Sequence, residues 1–426
     1  MHTIVIICSI PFIIRIIMYI YNIVLVKCYI AKKNKIKEVK QTKILVLIPV
    51  LREQRVICDT INHFINMKVE NTKLYLIIAG TQREEKSDKE TTLEVVKSWL
   101  DSSKQNLPDN IDVDYCEATD DGGDRATQLN YAVRFIKEIK GVNDLDYIGV
   151  YDADSLPSCD TINEVISSFC CEDNLSACQQ PVHFIKAANK MSQNNENSIL
   201  IANAIYQSTW TVISELPMWI KYYKKKNEQV SRRHIYLIGH GEFITNDIYE
   251  NFHFPEYEVT DGIQLGYRLG MSNKKVKPLK EFCNDDVPHE LRSLIMQHKR
   301  WFGGCMNLFS SYKWAKNIYG TNSIFQVFDG LWSQMRWAWT SITYIVLLVL
   351  SYITDKRLFT LYVVMGIVYC YFIPIISHFV LKDKIKVRII DWLSLPLAIL
   401  IKSVGPNIYL FSKLFRKKVK YEKVER

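Results

Sequence analysis

The sequence contains no C-x-x-C pair. Its 11 cysteines, an odd number, are scattered, and the adjacent Cys170 and Cys171 cannot easily bridge each other. The pattern points to reduced cysteines packed in a cytosolic domain, and away from a disulfide frame or a zinc site. No G-x-G-x-x-G follows the first strand-like run and no Walker loop occurs, so dinucleotide and P-loop chemistry have no support. No basic region is interleaved with aromatics in a recognisable nucleic-acid module, which leaves nucleic acid out of the expected partners.

What is present is apolar and unevenly charged. The chain has 426 residues, 48% of them hydrophobic and 12% aromatic, with 24 Tyr and 18 Phe. That length accommodates a catalytic domain plus further elements. The net charge is +9. It concentrates in "KCYIAKKNKIKEVKQTK" (27–43), with seven Lys and one Glu, and in "KLFRKKVKYEKVER" (413–426). Both flank apolar runs, as basic clusters do on the cytoplasmic side of a bilayer.

Three runs are long enough to cross a membrane. Residues 3–26 carry Arg15 near their middle, and the absence of a small-residue cleavage site after them reads as an anchor. An intramembrane arginine suggests snorkelling, a protein partner or a lipid phosphate. Residues 337–354 and 358–381 are uncharged, and Pro374 predicts a kink in the latter. The region 386–412 consists of short runs split by Lys402, which reads as interfacial or re-entrant helices. Three spans place the N-terminus outside, with residues 27–336 and the basic C-terminus in the cytoplasm. Residues 323–337 carry Ile324, Phe325, Phe328, Leu331, Trp332 and Met335 at helical spacing, as a helix lying in the headgroup plane does. The expected layout is an anchor at 1–30, a cytoplasmic domain at 41–315, an interfacial helix at 320–336, two spans within 337–381, and interfacial helices with a basic tail at 386–426.

Inside the cytoplasmic region, strand-like runs at 43–50, 73–80, 111–118 and 145–154 alternate with helical patterns at 55–66, 90–100 and 125–139. This order predicts an α/β fold: a mostly parallel sheet with helices on both faces, whose ligands bind at the C-terminal strand ends. Pro49, Gly80 and Asp152 fall at such ends.

Three features there carry chemistry. "YDADS" (151–155) ends a strand with Asp152 and Asp154 at i, i+2, projecting to one side. Such a pair suits a divalent ion, Mg²⁺ or Mn²⁺, bridging to a diphosphate, although a solvated turn gives the same spacing. "EVTDGIQLGYRLG" (258–270) puts Asp261 at a helix start, as an N-cap or as a general base. In "QHKRW", Gln297, Arg300 and Trp301 share one helix face, where a guanidinium can grip diphosphate oxygens and an indole can pack on a sugar.

In this order, ahead of membrane spans, the features resemble the membrane-bound family 2 glycosyltransferases, the group of cellulose, chitin and hyaluronan synthases and ceramide glucosyltransferase. The resemblance covers about residues 41–337. It implies the GT-A nucleotide-sugar fold. It assigns Asp152 to the nucleoside side of the donor, Asp154 to the metal, Asp261 to the T-E-D base, and Gln297, Arg300 and Trp301 to Q-x-x-R-W. Pro49 and Glu53 of "IPVLREQ" then lie beside the nucleotide base, and His240 of "GHGEF" beside the acceptor. Three departures stand out. "AGTQREE" replaces an aspartate-rich base-reading strand end, with Glu84 as the substitute. V-T-D replaces T-E-D, so Thr260 stands where glutamate is usual. Arg125 of "RATQLNYA" stands where lysine is usual.

The mechanism so implied is one in-line displacement with inversion. Asp261 deprotonates the acceptor, Arg300 and Arg125 stabilise the departing diphosphate with a divalent metal, and Trp301 and His240 place the acceptor. The expected donor is a nucleotide sugar, a UDP-sugar foremost. Q-x-x-R-W suggests a growing surface or capsular polysaccharide. Three spans are few to enclose a polymer, so a homo-oligomer, a membrane partner or a lipid acceptor is the alternative. A nucleotide-sugar-binding protein without catalysis is a remote third reading, because the catalytic carboxylates are present.

Overall fold

The structure is a computed structural model that describes residues 2–32, 41–69, 71–84, 90–103, 107–119, 124–225 and 231–415. Most of the first basic cluster (33–40), Glu85 of "AGTQREE" and the basic tail from 416 onward lie outside the described residues.

Among the described residues nine strands form: β1 (Thr42–Pro49), β2 (Thr72–Thr81), β3 (Ile111–Ala118), β4 (Tyr147–Val150), β5 (Leu175–Gln179), β6 (Val182–His183), β7 (Glu242–Thr245), β8 (Lys275–Pro278) and β9 (Cys283–Asn284). Seven make one sheet in the order β3-β2-β1-β4-β7-β5-β8, and β6 pairs with β9 apart from it. β1 is central and parallel to both β2 and β4. Its near-continuous apolar run follows from helices covering both faces. Alternate residues serve opposite faces. Leu45 and Leu47 pack with Leu129 and Val133 of one helix, while Ile44, Val46 and Ile48 pack with Ile57, Ile61 and Phe64 of another.

β7 runs antiparallel between β4 and β5, pairing Glu242 with Val150 on one side and Gln179 on the other. That inversion brings the "GHGEF" turn against the "YDADS" strand end. A buried helical stretch, Ser198–Trp210 continuing through a π-type turn (Thr211–Glu215) into Leu216–Tyr223, has no counterpart among the predicted elements. It docks on the apolar helix His2–Ile30. Asn22 Nδ2 donates to the Ile213 carbonyl at 2.7 Å, and Lys221 Nζ donates to Asn22 Oδ1 at 2.6 Å.

Among the described residues, four helices are long and apolar enough to cross a membrane: His2–Ile30, Ile324–Thr354, Lys356–Leu381 and Leu395–Leu414. The predicted interfacial helix and second span are one continuous helix, Ile324–Thr354. Its first turns divide their apolar residues: Ile324, Val327 and Leu331 pack inward, whereas Phe325, Phe328 and Trp332 are exposed. A π-type turn at Val368–Phe372 precedes Pro374, where the ring removes a backbone donor. The fourth stretch reaches spanning length only as a pair of short helices, Leu395–Ile401 and Val404–Leu414. The second of these packs on the helix Leu291–Cys305 so closely that a Cβ on Gly405 would stand 2.6 Å from the Ile295 carbonyl.

Candidate active site

The loop after β4 carries Asp152 and Asp154. Its backbone is pinned by the Ser155 N–H on the Asp152 carbonyl (3.1 Å) and by the Thr60 hydroxyl on the Ala153 carbonyl. Across from it, Asp124 caps the helix Arg125–Arg134, accepting from Thr127 N–H at 3.0 Å and, through its other oxygen, from Glu258 N–H at 3.1 Å. One carboxylate therefore fixes both Arg125, the first residue of its helix, and the turn leading to Asp261.

Arg125 is the hub. Its Nη1 donates to Asp261 Oδ2 at 2.6 Å, and its Nη2 to Asp152 Oδ1 at 2.9 Å and the Gly239 carbonyl at 2.6 Å. Burial opposes the guanidinium charge, but Asp261, Asp152 and Glu242 outweigh it and raise its pKa. Arg125 thus holds the Asp152 and Asp261 carboxylates together inside the cavity where the resemblance expects it to meet the diphosphate.

Glycine lets these elements approach. The helix Asp261–Met271 carries Gly262, Gly266 and Gly270 one turn apart on one face. A Cβ on Gly262 would lie 2.3 Å from the Gly239 backbone, and one on Gly304 would lie 2.0 Å from Thr260 Oγ1. The helix Leu291–Cys305 is thereby docked onto the V-T-D turn, helped by Gln264 Nε2 donating to the Gly304 carbonyl at 2.8 Å.

Pro49, Glu53, Arg125, Asp152, Asp154, His240, Asp261, Gln297, Arg300 and Trp301 all line one cavity of about 1750 Å³. Glu84 is the predicted site residue absent from that wall. Its Oε1 accepts from Thr92 N–H, Thr92 Oγ1 and Gln54 Nε2, each at 2.9 Å, so it anchors the start of the Thr92–Ser103 helix.

Two acidic residues near the site had no assigned role in the sequence. Asp285, just past β9, is 3% exposed and sits 2.8 Å from His240 Nε2, while His240 Nδ1 lies 3.8 Å from Asp152. The imidazole is thus held between two carboxylates. Glu242 is 1% exposed, and burial with the Asp261 charge pushes its pKa up to about 8 against the pull of Arg125, His240 and the Gly239 backbone. That shift favours the protonated form at pH 7, next to the Arg125–Asp261 pair. The "GHGEF" turn contained it, and the doublet Asp285-Asp286 was a visible acidic signal, but neither adjoins a motif whose spacing singles it out.

The profile described as Glycosyltransferase like family 2 matches residues 41–304. The chain belongs to this family. No curated protein matches it significantly in sequence. Among solved structures it is similar to the mannosyltransferase PcManGT from Pyrobaculum calidifontis in complex with GDP-Man and Mn²⁺, at 12% identity and TM-score 0.53, covering 96% of this chain and 99% of that one. It also matches residues 1–349 of TarS from S. aureus (11% identity, TM-score 0.41, 90% and 95% covered). A third match is glucosyl-3-phosphoglycerate synthase from Mycobacterium tuberculosis (12% identity, TM-score 0.37, 64% and 80% covered). This family 2 glycosyltransferase has the GT-A fold, as the sequence resemblance implied.

Proposed function

We propose that the enzyme moves a sugar, with inversion, from a nucleoside-diphosphate donor to a lipid acceptor that reaches the site from the membrane. The observation that carries this is the cavity itself. Its wall continues from Asp152, Asp154, Asp261 and Trp301 to Phe12, Arg15, Tyr19, Thr340, Tyr344 and Tyr369 on the apolar helices. A lipid headgroup can therefore meet the donor while its tail stays among those helices. Three basic side chains, Arg15, Arg336 and Lys402, also line this stretch, and none of them forms an ion pair among the described residues. Arg15 and Lys402 repel each other, as do Arg15 and Arg336, so an anionic headgroup fits between them.

Asp261 takes the proton of the acceptor hydroxyl as that oxygen attacks the anomeric carbon and the bond to the diphosphate breaks. Arg125 aligns Asp261 with Asp152 across the donor. Arg300 faces the same cavity as the candidate for the departing diphosphate, and Trp301 packs on the acceptor. Hard carboxylate oxygens from Asp152 and Asp154, on one pinned turn, fit Mg²⁺ or Mn²⁺, which when bound neutralises diphosphate charge. The Mn²⁺ and GDP-Man in the Pyrobaculum enzyme support this donor and ion class. The docking of Val404–Leu414 on a catalytic-domain helix favours a re-entrant C-terminal segment, which keeps that domain and the basic tail together on the cytoplasmic side of the cell membrane.

Membranes containing the enzyme, given radiolabelled UDP- and GDP-sugars, test the acceptor. Label extracted into organic solvent as a single species supports the proposal. Label retained as a large polymer restores the polysaccharide reading drawn from Q-x-x-R-W and overturns the lipid one.

A further inference from the structure

Away from the donor cavity, three ligating side chains converge where the catalytic domain meets the membrane helices. His183 ends β6, His378 lies in the last turn of the helix Ile373–Leu381, and Asp383 follows two residues beyond it. Lys382 turns through φ 59°, and the Asp383 N–H donates back to the His378 carbonyl at 3.0 Å, which folds the carboxylate onto the imidazole. Asp383 Oδ2 lies 2.7 Å from His378 Nδ1 and 3.1 Å from His183 Nε2, and the three ligand atoms fall within 4.8 Å of one another. The side chains are 8%, 3% and 15% exposed for His183, His378 and Asp383.

The hydrogen bonds around His378 fix its protons. Thr209 Oγ1 donates to the Ile205 carbonyl at 2.9 Å, so toward His378 Nε2, at 3.2 Å, that hydroxyl can only accept. Nε2 also lies 3.3 Å from the Ile205 carbonyl, which accepts only. Nε2 therefore carries the ring proton. In a neutral imidazole Nδ1 is then a bare lone pair, and it faces a carboxylate oxygen at 2.7 Å. Two acceptors at that distance need a cation between them. A proton there makes a buried imidazolium, and His183 Nε2, 3.1 Å from the same carboxylate oxygen, is buried without an aligned hydrogen bond to it. One divalent ion satisfies all three atoms at once.

We infer that His183, His378 and Asp383 form a second metal site, distinct from the donor-site carboxylates, for a borderline transition-metal ion of the Zn²⁺ class. Two imidazoles and one carboxylate are a zinc-type donor set, in contrast to the harder pair Asp152 and Asp154. The His378 Nε2–H on a backbone carbonyl is the outer-shell contact that metal-bound imidazoles make. Tetrahedral ligands at zinc bond lengths stand roughly 3.3 Å apart, so around the ion the Asp383–His378 contact opens by about 0.6 Å and the Asp383–His183 contact by about 0.2 Å. Water completes the fourth position. The Asp285 N–H donates to the His183 carbonyl at 3.0 Å, so an ion here ties the strand that positions Asp285 and His240 to the end of a membrane helix. Cysteine spacing gave no sign of this site because it uses no cysteine.

The test uses the full chain in detergent with Asp154→Asn, which weakens metal binding at the donor site. After chelation and equilibration with limiting Zn²⁺, about one zinc per chain is expected by elemental analysis, with a raised Tm. Adding His183→Gln or Asp383→Asn should remove both the zinc and the Tm rise. Absence of bound zinc in the Asp154→Asn chain, or equal zinc in the added variants, overturns the site. Should those variants fail to fold, Co²⁺ loaded into the Asp154→Asn chain decides. Intense visible bands of four-coordinate Co²⁺ support the site, and the weak spectrum of aqueous Co²⁺ refutes it.

Discussion

Arg125 and Asp261, 136 residues apart in sequence, meet as an ion pair with Nη1 2.6 Å from Oδ2. The pair joins the helix after β3 to the helix that carries the proposed base. It fixes where Asp261 points, and through Asp152 it couples the proposed base to the proposed donor side of the cavity.

Replacing Asp261 by Asn keeps the shape and a hydrogen-bond acceptor for Arg125 but removes the proton acceptor. Asp261→Asn should lower kcat by about 10²- to 10⁴-fold, the range of general-base removal. Donor affinity, read by calorimetry with the nucleoside diphosphate, should move by no more than a few fold. A variant that transfers sugar at the parent rate removes Asp261 from the base role.

Gly262→Ala and Gly304→Ala should differ in severity. At Gly304 the new methyl meets the Thr260 side chain, whereas at Gly262 it meets Gly239 backbone, which cannot rotate away. Both should destabilise by overpacking, on the order of 1–3 kcal/mol, with Gly262→Ala the worse. Thr260→Gly should restore part of the Tm and transfer rate lost in Gly304→Ala, and nothing lost in Gly262→Ala. Equal rescue of both contradicts the docking described.

Much of this arrangement was legible in the chain. β1 reads as a buried strand because it lies between two parallel neighbours, and the three motif carboxylates and Q-x-x-R-W line one cavity. The unread parts depend on contacts made far along the chain. Glu242 is buried because β7 inserts antiparallel beside β4, a pairing that no local pattern announces. Asp285 follows a strand of two residues, too short to show a period. Ser198–Tyr223 lacks the polar face that marks an amphipathic helix, since it is covered on all sides. Glu84 has the right charge near the right strand end, yet Thr92 lies close enough to take it.

The membrane end of the cavity yields a separate expectation. Arg15→Gln and Lys402→Gln each remove one charge from the cluster facing the proposed headgroup. Each should raise the KM for an anionic lipid acceptor about tenfold, the loss of a charge-assisted contact, with donor KM unchanged. Assays across lipid concentration in detergent micelles read this directly. If acceptor KM is unmoved in both, the cations serve helix packing and the acceptor is neutral there.

Glu242 gives the enzyme a pH signature. Its pKa in the folded protein, about 8, lies above the ordinary 4.5 because burial and Asp261 disfavour its charge. Between these values the folded chain holds a proton that the unfolded chain has released, so unfolding sheds a proton and folded stability falls as pH rises. The loss begins near pH 4.5 and levels off above about pH 8, amounting to a few kcal/mol across the window. Glu242→Gln preserves the neutral shape and removes the titration. Its Tm should match the parent near pH 5 and exceed it increasingly toward pH 8.5, while transfer at pH 7 stays within a few fold. A Tm difference that does not vary with pH shows that Glu242 is already ionised in the fold, held by Arg125 and His240 instead of by a proton.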